Sequence, residues 1–124
     1  MAQFGSKIDP KLLRMLFSKF SAYAADKNVP IPDYLITHEW SGPQSDSYEN
    51  FRDYMFEHFK SFPNGFTETF IHPSLECDEL KGTSSVWFRR VWEHRLFADP
   101  ATRQYMEGLG IKYINYRDLA KMKA

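Results

Sequence analysis

Four histidines, one cysteine and several acidic residues are the side chains of this sequence with chemistry to offer, and their spacing narrows what that chemistry is. His72 closes the run Phe66-Thr67-Glu68-Thr69-Phe70-Ile71-His72, which has the β-branched and aromatic character of a strand and is stopped by Pro73. Alternation along such a strand puts Glu68, Phe70 and His72 on one face. Helix–strand alternation makes its carboxyl end the edge where parallel α/β proteins hold ligands. An imidazole there is suited to general acid or base work, since its ordinary pKa is about 6.5. The structural alternative is a strand-end histidine that serves only as a hydrogen-bonding group. His38, at the end of Tyr34-Leu35-Ile36-Thr37-His38, takes the same kind of place, whereas His58 and His94 fall within helical patterns as packing or surface residues.

No local metal motif is present: there is no His-x-x-x-His pair, and Glu76, Asp78 and Glu79 lack the ligand spacing and glycine of a calcium loop. They read as a solvated acidic loop over 74–82. Cys77 has no neighbouring histidine to activate it, and a lone cysteine excludes an intrachain disulfide and a multi-cysteine zinc site. Arg90 and Glu93 stand one helical turn apart, close enough to pair or to reach a pocket together. Arg89 and Arg90 between Trp87 and Trp92 suggest base stacking or sugar contact, but sixteen basic residues balance sixteen acidic ones, so burial of the tryptophans is the stronger explanation. The same neutrality gives no electrostatic footprint for nucleic acid or an anionic membrane. No run of about 18 apolar residues and no secretory leader pattern occur, so a cytoplasmic protein is expected.

The elements that must position these residues follow from periodicity. Asp9-Pro10 reads as an N-cap and first helical residue, and Leu12, Leu13, Leu16, Phe17, Phe20 and Ala24 continue a helix over about 10–27, ended by Pro30 and Pro32. Asp46 with Glu49 three residues on reads as a capping box opening a second helix with Phe51, Met55, Phe59 and Phe62 on one stripe. Thr83, Ser84 or Ser85 caps a third, holding Trp87, Val91 and Leu96. Asp99-Pro100 opens a fourth, stopped by Gly108 and Gly110; Ile111–Tyr116 reads as a strand and Asp118–Met122 as a short last helix.

With 124 residues in one domain, of which 1–9 are expected to be a flexible amino terminus, the fold class expected is α/β with about three parallel strands. Eight strand–helix units need roughly 200 residues, so a whole barrel is excluded. A three-stranded parallel sheet also leaves open edges, which a second copy of the chain or a missing amino-terminal half would cover.

One ordered set of segments adds to this. Val29-Pro30-Ile31-Pro32-Asp33-Tyr34, Phe62-Pro63-Asn64-Gly65-Phe66-Thr67-Glu68, Phe70-Ile71-His72-Pro73, Arg90-Val91-Trp92-Glu93, Phe97-Ala98-Asp99-Pro100 and Gly110-Ile111-Lys112-Tyr113-Ile114 together resemble the carboxyl-terminal part of YdjC/ChbG-type carbohydrate deacetylases, over about residues 10–119. The resemblance implies a partial, incomplete β/α barrel and hydrolysis of N-acetyl groups on oligosaccharides, assisted by a divalent metal such as Mg or Zn. It implies His72 as the catalytic residue, a proton donor, with Glu68, Arg90 and Glu93 as substrate-binding or supporting residues.

The amino-terminal Asp-Asp, His-x-Leu and His-x-His segments that supply the family's metal ligands have no counterpart here, so this chain is expected to bind no metal and to be inactive alone. Two other readings stand beside it. One is a non-catalytic module that dimerises through open sheet edges or binds sugar through Trp40, Trp87 or Trp92; the other is an enzyme whose metal site is assembled between chains.

Overall fold

The computed structural model describes residues 10–124. The expected amino-terminal cap at Asp9 and the expected flexibility of 1–9 lie outside the described residues. Six α-helices, a 3-10 turn and two strands of two residues each make up the described chain. The expected α/β sheet of about three strands, and with it the partial β/α barrel, is therefore corrected to a mostly helical fold with a single strand pair. Two compact units are present, residues 33–113 and, separately, residues 10–32 together with 114–124.

In the second of these units α1 spans Pro10–Asp26. Its end is set by Asn28 rather than by the prolines: Asn28 adopts a left-handed φ of 53°, and the Val29 N–H returns to the Ala24 carbonyl at 2.8 Å. That six-to-one bond around a left-handed residue satisfies a carbonyl the helix would otherwise leave open. At the other terminus α6, Tyr116–Met122, opens on a reciprocal cap in which Asn115 accepts from the backbone of Asp118 and Asp118 accepts from the Asn115 N–H. This cap occupies the place of the expected strand over Ile111–Tyr116. Asn115 commits the chain to a helix where a strand would need a neighbour.

The larger unit holds the core. Its strands, β1 (Tyr34–Leu35) and β2 (Thr67–Glu68), pair in parallel, Tyr34 opposite Thr67 and Leu35 opposite Glu68. The ladder is anchored at its start, where Asp33 Oδ2 accepts the Phe66 N–H at 2.9 Å and the Asp33 N–H donates to the Phe66 carbonyl at 2.8 Å. Gly65 makes this approach feasible: at φ +126°, a Cβ would stand 3.0 Å from Asp33 Oδ2 and 3.2 Å from the Tyr34 ring. Both strands are shorter than expected because the chain leaves extended pairing after Glu68, so the shared face of Glu68, Phe70 and His72 does not extend beyond the second strand residue.

Between the strands runs α2, Tyr48–Lys60, capped by Ser47, whose side chain accepts the Asn50 N–H, in place of the expected Asp46–Glu49 box. Tyr48, Phe51, Met55 and Phe59 recur every three to four residues and are buried, joined in one cluster by Leu96 and Met106. Each such side chain contributes roughly 1.5–3 kcal/mol when fully removed from water. Leu96 belongs to α4, Trp87–Ala98, and Met106 to α5, Pro100–Gly108; Asp99 caps α5 through the Ala101 N–H, as its Asp-Pro signature predicts. The acidic segment expected to be a loop contains a further helix, α3, Asp78–Thr83, with Asp78 and Glu79 in its first turn, where the helix dipole favours negative charge.

Candidate functional site

The stretch that follows β1 is stitched down by its own polar groups. Gln44, 8 % exposed, donates from Nε2 to the carbonyls of Glu39 and Ser41 at 3.0 Å each, the Ser45 hydroxyl donates to the Trp40 carbonyl, and the Tyr54 hydroxyl accepts the Glu39 N–H. These bonds turn His38 and Trp40 inward. The His38 ring meets Trp40 edge-on at 5.4 Å and Phe51 at 5.7 Å, while Trp40 and Phe51 stack at 4.5 Å. Its side chain is 3 % exposed.

Opposite it stands Glu93 of α4, whose side chain is 4 % exposed and whose Oε1 lies 2.9 Å from His38 Nε2. The His38 ring nitrogens make no directed hydrogen bond, so the two side chains meet in a close polar contact. The other carboxylate oxygen, Oε2, accepts the backbone N–H of His72 at 2.7 Å. Two residues further on, the Ser74 N–H donates to the Arg90 carbonyl at 3.1 Å. The segment His72-Pro73-Ser74 is thus clipped to one turn of α4 by two bonds, one to a side chain and one to the main chain.

His58 of α2 stacks on Tyr54 at 5.9 Å and meets Phe62 edge-on at 5.5 Å. Its Nε2 is buried without a hydrogen-bond partner. Burial pushes this imidazole below its ordinary value, and the nearby His38 lowers it further.

Of the residues singled out in the sequence, His72 is exposed, with its ring edge-on to Phe70 at 5.5 Å, and Arg90 is exposed on α4. Glu68 is half-buried in β2, its carbonyl accepting the Ile36 N–H at 2.9 Å. Glu93 is buried beneath His72. The His38–Glu93 contact is what sequence reasoning missed, although one signal was available: Glu93 stands three residues before Leu96, which puts an acid on the buried face of its helix. Trp40 and Trp92 pack against the core cluster, and Trp87 carries the Lys81 ammonium 4.9 Å above its ring.

Among the described residues no three His, Cys, Asp or Glu side chains converge as a metal-binding group, and His38 and Glu93, which do meet, face each other. No helix among them is long and apolar enough to cross a membrane. Comparison with protein-family models, with curated proteins and with solved structures returns no match to this chain.

Proposed function

We propose that this chain forms one wall of a deacetylase pocket for N-acetylated oligosaccharides and presents His72 there as the proton donor. The observation that carries the reading is the combination of an exposed His72 side chain with a backbone fixed from below by the buried Glu93 carboxylate. A group that must meet a leaving atom within a fraction of an ångström needs that kind of support.

In the proposed step water adds to the acetyl carbon while giving up a proton to a carboxylate base outside this chain, the sugar nitrogen takes a proton from His72 as the carbon–nitrogen bond breaks, and acetic acid, which ionises to acetate, leaves with the amine; solvent restores the protons of both groups. Acetate and a free amino sugar are the products. Arg90, exposed on the same helix that holds Glu93, and Glu68 of β2 are proposed to contact the sugar. The chain is proposed to be inactive alone. Purified chain supplied with Zn²⁺ or Mg²⁺ and N-acetylated chitooligosaccharides is expected to release no acetate; robust metal-dependent release by the chain alone would overturn that.

A second reading is favoured by the strand pair itself. Tyr34 and Leu35 are 43 % and 63 % exposed in a two-stranded parallel sheet, an arrangement that elsewhere is covered on both faces. A self-associating module accounts for that exposure. Light scattering that finds a monomer across the accessible concentration range removes this reading.

A further inference from the structure

We infer that Glu93 and His38 are positioning residues for His72, a single buried carboxylate holding the segments that follow both strands against α4. The inference rests on the reading of His72 as the working group, but it concerns how that residue is held. His72 and Ser74 lie outside regular structure, after β2 has ended, and no strand neighbour fixes their backbone. Their amides go instead to α4: His72 to Glu93 Oε2 at 2.7 Å and Ser74 to the Arg90 carbonyl at 3.1 Å. Arg90 and Glu93 are one helical turn apart, so the Arg-x-x-Glu spacing matches the two acceptors to two donors on one side of the His72-Pro73-Ser74 segment.

A short bond from an amide to a side-chain oxygen is stronger where it is shielded from water, as it is here. The carboxylate needs a fixed direction to serve this end, and His38 supplies it. With Oε1 drawn to within 2.9 Å of the His38 ring, Oε2 is left facing the His72 N–H. His38 itself packs against the stacked pair of Trp40 and Phe51, so the direction is inherited from the aromatic core. The chain of support therefore runs from Phe51 and Trp40 through His38 and Glu93 to the backbone of His72.

Amide hydrogen exchange measured by NMR on the whole chain tests this. In the wild type the His72 and Ser74 amides are expected to be protected relative to unstructured peptide rates. Glu93→Gln keeps an acceptor oxygen and is expected to retain the His72 protection and the His72 ring resonances. Glu93→Ala removes the acceptor and is expected to accelerate His72 exchange by on the order of tenfold or more, with the Phe51 and Phe59 amides of α2 unchanged. Should Glu93→Ala unfold, the wild-type protection and the Gln rescue decide the matter. An unprotected His72 amide in the wild type, or a Gln variant as fast as the Ala variant, overturns the inference. None of these readouts involves sugar, so they fail or hold separately from the deacetylase reading.

Discussion

His38 Nε2 and Glu93 Oε1 approach to 2.9 Å with side chains 3 % and 4 % exposed, and this relationship joins the segment following β1 to α4 inside an aromatic core. A carboxylate so placed is stabilised by few groups, so each of them matters. Removing the imidazole leaves the buried Glu93 Oε1 without the polar group that faces it, at a cost of roughly 1–3 kcal/mol. His38→Ala is expected to lose about that much stability in urea unfolding. The pair His38→Phe with Glu93→Gln is expected to lose less than the sum of the two single changes, because the two side chains share one contact. Strict additivity in that cycle would show that the two side chains do not interact.

His58 makes stability depend on pH in a defined direction. Its folded value is lowered by burial and by His38, so on acidification the unfolded chain binds the proton first. The stability associated with neutral His58 is complete above the ordinary imidazole value of about 6.5 and is lost as the pH falls from there through the depressed folded value. One such group contributes a slope of at most ~1.4 kcal/mol per pH unit, and partial exposure keeps it below that limit. His58→Phe, which retains a ring against Tyr54 and Phe62, is expected to flatten the profile in this window. An unchanged profile would assign the pH dependence elsewhere.

Gly65 is predicted to be intolerant of any side chain. At φ +126° the backbone is unfavourable for an L-residue, and the added Cβ would press on Asp33 Oδ2 at 3.0 Å, the atom that receives the Phe66 N–H. Gly65→Ala is expected to cost about 1–3 kcal/mol from the backbone alone. The denaturation midpoint checks this, and a variant as stable as the wild type would contradict the tight approach of residues 33 and 65.

Much of the helical framework was legible in the sequence because its causes are local. Phe51, Met55 and Phe59 announce α2 by spacing, Asp99-Pro100 announces α5, and Pro10 opens α1. The strands are less legible for a physical reason: the aromatic and β-branched residues at 66–72 and 111–116 favour extended backbone, but a strand also needs a partner, and pairing is decided by the rest of the chain. At 115 a short-range cap won instead. In the site, the three-residue spacing of Arg90 and Glu93 was visible, while what Glu93 touches was not, since His38 and His72 reach it from distant parts of the sequence.

The role given to His72 is tested most directly by NMR titration of the whole chain with N-acetylated chitooligosaccharide, following the His72 ring and the amides of 68–74 and 90–93. The account predicts that these resonances move in a saturable way with the N-acetylated sugar, move less with the fully deacetylated one, and fail to respond in the same way when His72 is replaced by Ala. Resonances of His72 that stay fixed at millimolar sugar, or equal responses to both sugars, would contradict it.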